Sequence, residues 1–212
     1  MKMNTKLKQA IVTSMLVLSI PCVSQAAVSE GALKDGFGLD LAYPVAHESN
    51  KTVQNMINTD IDLFVKEAQK DYKPDTQDSR KMVYTVTLEN NEELSVLLHC
   101  EKMTPALANP ETVTYGIVYD KSTGKNIPLH VYTDMATVDQ LKAALKKGDV
   151  KLYNGQHKKI TWSGEFAPSQ MTTQYYLTES KNGKNQTAWL VFQPGDLAPY
   201  SEGTTYVEVP VK

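Results

Sequence analysis

Cys100 and His99 are neighbours, and a thiol beside an imidazole is how a cysteine nucleophile is activated. The run Leu94 to Cys100 alternates as a strand does, so adjacent side chains point to opposite faces and these two cannot meet. Cys100 then shares a face with Leu94, Val96 and Leu98 and reads as a core residue. His47, His130 and His157 show no paired ligand spacing, so neither a metal nor a cofactor motif emerges. Asp120-Lys121-Ser122-Thr123-Gly124-Lys125 invites comparison with a calcium loop, but Ser122, Gly124, Lys125 and Val131 occupy the positions that would need two oxygen ligands, a glycine and a glutamate. Gly124-Lys125 also lacks the upstream glycine of a phosphate loop. The stretch reads as a turn in which Asp120 bonds the following backbone and Gly124 takes a positive φ.

Ala198-Pro199-Tyr200-Ser201-Glu202-Gly203 holds an aromatic between proline and glycine just before a final strand. Pro199 and Tyr200 then form a rigid ligand-facing loop with Tyr200 as anchor, or Tyr200 folds back to plug a sheet edge. Trp162, close to Lys158 and Lys159, is the other candidate contact. No combination of side chains specifies a reaction. The chain reads as a noncatalytic binding module, with a peptidoglycan-related enzyme or accessory domain as the alternative.

These residues need a scaffold, and the segment Val113 to Leu145 writes a complete unit of it. Val113, Tyr115, Ile117 and Tyr119 alternate as a strand, the polar turn follows, and an amphipathic helix begins at a capping box of Thr137 and Gln140 and stops at Gly148. Upstream, Phe37, Leu39 and Leu41 alternate towards Tyr43-Pro44, where proline suits an edge strand or a strand end. Asn50 caps a helix whose stripe runs Val53, Met56, Ile57, Ile61, Phe64, Val65 and Ala68 and which ends before Pro74. Val83–Leu88 and Leu94–Cys100 form a hairpin around Glu89–Glu92, while 147–166 reads as loop with one short strand. Gln174–Thr178, Ala188–Gln193 and Thr205–Val211 are the last strands, the first two joined through Asn182-Gly183. Two helices among about seven strands in hairpin order predict an α+β fold: one antiparallel sheet with both helices on one face.

Lys2, Lys6 and Lys8 precede an apolar run at Ala10–Ile20, too short to span a bilayer, which leads to Ser24-Gln25-Ala26. Residues 1–26 therefore read as a secretory signal, and 27–212 as a single periplasmic or secreted domain with no membrane span left after cleavage. Pro21 before Cys22 argues against a lipoprotein anchor there, since a small residue is needed at that position. Losing three lysines and no acids takes the net charge from −2 to −5, which argues against nucleic acid or anionic membrane as partners. Cys22 leaves with the signal, so Cys100 has no intrachain partner and stability must come from a hydrophobic core.

Tyr43-Pro44, Ile57-Asn58 with Ile61, Leu94-Ser95, Tyr119 to Lys125 with Leu129, and Ala198 to Gly203 follow one another in an order that resembles a known family. It is the extracytoplasmic domain of unknown function shared by RsiV-type lysozyme-sensing anti-sigma factors and PdaC-type polysaccharide deacetylases. The resemblance covers essentially the whole chain after residue 26 and implies recognition of lysozyme or another envelope protein. Two segments depart from the family pattern: Met103 to Pro110 replaces a glycine-rich, histidine-containing segment, and Pro194 to Leu197 replaces a tyrosine-containing one.

Overall fold

In the computed structural model, which describes residues 28–179 and 186–212, ten strands form two five-stranded sheets, accompanied by two α-helices. The expected secretory signal and the Asn182-Gly183 turn lie outside these residues. The order is β1 (Val28–Lys34), β2 (Leu39–Ala46), α1 (Lys51–Gln69), β3 (Ser79–Glu89), β4 (Glu93–Met103) and β5 (Glu111–Asp120). Then come α2 (Val138–Lys147), β6 (Lys151–Tyr153), β7 (Lys159–Ile160), β8 (Tyr175–Glu179), β9 (Gln186–Phe192) and β10 (Thr205–Pro210). The first sheet runs β1-β2-β3-β4-β5 and the second β7-β6-β10-β9-β8.

This corrects the expected single sheet in two respects. Each sheet has its own helix, and β2 pairs with β3 in parallel across the α1 crossover instead of ending a hairpin series. Val53, Ile57, Ile61 and Val65 are the buried stripe of α1, laid on Leu94, Val96, Leu98 and Tyr119 and, at the far end, on Leu41 and Met82. α2 contributes Leu141 to a second core with Leu177, Leu190, Phe192 and Val207. Phe37, expected in a strand, is 63% exposed in the β1–β2 turn, and Met56, expected on the buried stripe, is 39% exposed.

The caps form where their residue types require. Asn50 accepts from the amides of Thr52 and Val53, Thr137 and Gln140 close the capping box of α2, and Gly148 ends it at φ 79°. Pro44 lies past Leu41, where the pairing of β2 with β3 stops, so its missing N–H leaves no partner in β3 unmet. Beyond it, the Asn58 side chain of α1 takes over as a strand would, accepting from the Ala46 amide at 2.8 Å and donating to its carbonyl at 3.0 Å.

The sheets meet where β8 crosses the face of the first sheet that α1 leaves open. Gly116 of β5 makes this possible, because a Cβ there would lie 2.6 Å from the Tyr175 carbonyl carbon. The Leu177 amide donates to the Ser95 hydroxyl at 2.9 Å across the same seam. Nearby, the Gln193 side chain accepts from the Thr114 amide at 2.9 Å and donates to its carbonyl at 2.8 Å, closing part of the outer edge of β5. No helix among the described residues is long and apolar enough to cross a membrane.

Candidate binding site

Asn154 follows β6, and one carboxamide there builds a turn. Its Oδ1 accepts from the amides of Gln156 at 3.1 Å and Lys158 at 3.0 Å, while its Nδ2 donates to the Glu202 carboxylate at 2.8 Å. The Gly155 amide adds a bond to the Glu202 carbonyl at 2.9 Å, and a Cβ on Gly155 would come within 3.2 Å of that oxygen. The β6–β7 turn is thus pinned to the segment before β10. That segment is a single 3-10 turn, Tyr200–Glu202, entered through extended Pro199 and left through Gly203 at φ 71°. Tied down at Glu202, it presents Tyr200 with 55% of its surface exposed, so the ring does not fold back to plug a sheet edge.

Lys158 therefore lies on the turn bonded to the Tyr200 turn, and these two of the expected contacts are brought together with Pro199. Trp162 is not part of this corner. It is half-buried, its indole N–H donates to the Phe166 carbonyl at 2.8 Å, and it packs on the core that α2 covers. Three residues not foreseen as site residues complete the corner: Asn154, Glu202 and His157. His157, exposed at φ 55°, stacks on Tyr206 with centroids 4.5 Å apart and planes 10° from parallel. Although the residue as a whole is exposed, stacking partly desolvates its imidazole, which lowers its pKa from the ordinary value and favours the neutral ring. Tyr206 leads to Tyr176, Trp189 and Tyr153, a continuous aromatic layer on the face of the second sheet opposite α2. In the sequence these are single aromatics in four separate strands, and only the pairing of β6, β8, β9 and β10 puts them side by side.

Cys100 and His99 point to opposite faces, as the alternation requires. His99 Nδ1 lies 3.0 Å from the Thr114 hydroxyl, whereas Cys100 packs with Leu41, Val65 and Met82. The thiol is only partly covered, however, and forms the floor of a cavity of about 270 Å³ between α1 and the strands, beside Tyr115 and the buried Arg80. Arg80 is held there, paired with Asp78 and donating to the Ser79 carbonyl at 3.0 Å. Burial pushes the Cys100 thiol up to about 12, so at neutral pH it is protonated and a poor nucleophile.

The Asp120 turn has the structural form expected of it. Asp120 accepts from the amides of Ser122 at 2.7 Å and Thr123 at 3.2 Å, and Gly124 adopts φ 76° against α1. Lys121 joins it to the rest of the first sheet through Glu48 at 3.2 Å and Glu89 at 3.3 Å.

The sequence matches no family model and no curated protein. The fold does have counterparts. A member of the DUF3298 family from Bacteroides fragilis superposes with a TM-score of 0.51 at 13% identity, over 86% of this chain and 89% of that one. A DUF3298 family protein from Pseudomonas aeruginosa gives 0.50 at 14% identity, over 87% and 92%. At these identities the likeness is one of fold, shared with an uncharacterised domain family.

Proposed function

We propose that this protein is a noncatalytic binding module acting outside the cytoplasm, with the Tyr200 corner as its contact surface and a lysozyme-like hydrolase or another envelope protein as its partner. The observation that carries the reading is the exposure of Tyr200 on a 3-10 turn that Asn154 and Gly155 tie to a second turn. The turn sets the backbone that carries the ring, and tyrosine, with only two side-chain torsions, loses little conformational freedom when a partner buries it, which makes it an effective anchor. Lys158 on the neighbouring turn asks for an acidic group opposite it. At longer range the acidic balance of the chain, −2 overall, suits a basic partner, and lysozymes are commonly basic. The protonated state of Cys100 weighs against a thiol enzyme.

Calorimetric titration against a panel of lysozymes tests the partner. Binding in the range up to tens of micromolar is expected for at least one of them, and heats that stay at the dilution level across the panel at about 50 µM would remove lysozyme from the proposal.

A further inference from the structure

The first sheet treats its two edges differently. On β5, Gln193 occupies Thr114, the Ile127 amide donates to the Val118 carbonyl at 2.8 Å, and Asn126 bridges Tyr119, so that edge is largely closed. On β1 the described residues place no strand on the side away from β2, although its seven residues contain no proline and pair with β2 without a register shift. Ser29, Glu30, Ala32, Leu33 and Lys34 are all exposed. Such an edge is a template for another strand unless its side chains forbid it.

We propose that β1 is a self-association edge, and that a second copy of this chain pairs with it antiparallel about a two-fold axis at Ala32. Opposed residues in an antiparallel pair point to the same face, so a two-fold must pass through a residue position of the strand. Axes at Glu30 or Lys34 set like charges face to face. Those at Gly31 or Leu33 leave both charges opposite neutral residues or glycine. The axis at Ala32 places Glu30 opposite Lys34 twice, and Leu33 opposite Gly31 twice. Lys34 already meets Asp40 of its own chain at 2.9 Å but remains 61% exposed, with donors to spare for a second carboxylate. Leu33, 37% exposed, gains the Tyr43 ring, which fills the space beside Gly31. The two sheets would join into one of ten strands. A contact of this length is small, so the dimer is weak and depends on concentration and salt.

Sedimentation equilibrium of the signal-free chain, from about 10 µM to about 1 mM, tests this at low salt. Dimer is expected to accumulate with concentration and to fall away in about 0.5 M salt. Glu30→Lys alone and Lys34→Glu alone each set like charges opposite one another twice and should weaken association roughly tenfold or more. An equimolar mixture of the two variants restores opposite charges at both places and should associate at least as well as the original chain. Melting curves unchanged from the original would show that each variant is folded. A chain that stays monomeric at the top concentration would overturn the proposal. So would single variants that dimerise undiminished, or a mixture that fails to recover association.

Discussion

Asp35 holds the β1–β2 turn from a single carboxylate. Its Oδ1 accepts from the amides of Phe37 at 2.8 Å, Gly38 at 3.2 Å and Leu39 at 3.0 Å, and its Oδ2 accepts from the Tyr72 hydroxyl at 2.7 Å. Desolvation pushes this carboxyl upward, but the Tyr72 hydroxyl and the three amides outweigh it and hold it at about 2 instead of 3.8. A lowered folded value means that the unfolded chain takes up the proton first. The contribution is complete above the unfolded value of 3.8 and is lost as the pH falls from there towards about 2. Urea midpoints of Asp35→Asn and the original chain should therefore differ at neutral pH and converge across that window, and a constant difference would show that the charge plays no part. Cys100 gives a second test. With the thiol at about 12, the rate of modification by a disulfide reagent should keep rising through pH 10, whereas a plateau near pH 9 would indicate an ordinary thiol. The opposite orientations of His99 and Cys100 were legible from alternation alone. That Cys100 borders a cavity was not, because the walls come from α1 and from strands far away in sequence.

The Asp120–Lys125 turn was legible almost completely, since the bonds that shape it, from Asp120 to Ser122, Thr123, Gly124 and Lys125, run between residues at most five apart. What it packs against was not. A Cβ on Gly124 would lie 2.9 Å from both the Met56 Cβ and the Val53 carbonyl oxygen, so the turn is docked on α1. The dock is fastened by Asp60, which accepts from the Tyr119 hydroxyl at 2.9 Å and from the Asn126 side-chain Nδ2 at 3.2 Å. Gly124→Val thus combines a left-handed backbone with a collision and should lower stability by about 2 to 4 kcal/mol. Because the collision begins at Cβ, Gly124→Ala should cost nearly as much in chemical denaturation, and an alanine variant close to the original would contradict the docking. The helices and the β3–β4 hairpin were read correctly because local periodicity and caps specify them. β1 was missed for a physical reason: an edge strand exposed on most of its surface has no need of alternation, and Val-Ser-Glu-Gly-Ala-Leu-Lys shows none. Gly116 went unremarked for a similar reason, as only the approach of Tyr175 from another sheet gives it meaning.

Across the whole molecule, the α+β composition followed from the sequence, but the division into two sheets did not. The packing of β8 across the first sheet rests on Ser95 and Gly116, small residues that carry no periodic signal. That crossing leaves the second sheet with one face under α2 and the other carrying the aromatic layer. The candidate site was half legible: Pro199, Tyr200 and Lys158 were chosen from residue type, while Asn154, which ties their turns together, looked like any loop asparagine. Trp162 was chosen as an aromatic beside Lys158 and Lys159, and it lies half-buried against the core that α2 covers. The measurement that bears most directly on the Tyr200 corner is a parallel titration of the original chain and Tyr200→Ala with a lysozyme that binds, alongside their melting curves. Tyr200 is 55% exposed, so the variant should melt close to the original and bind at least about tenfold more weakly. A variant that binds unchanged, or whose binding falls only as far as its folded fraction does, would contradict the assignment of this corner as the contact surface.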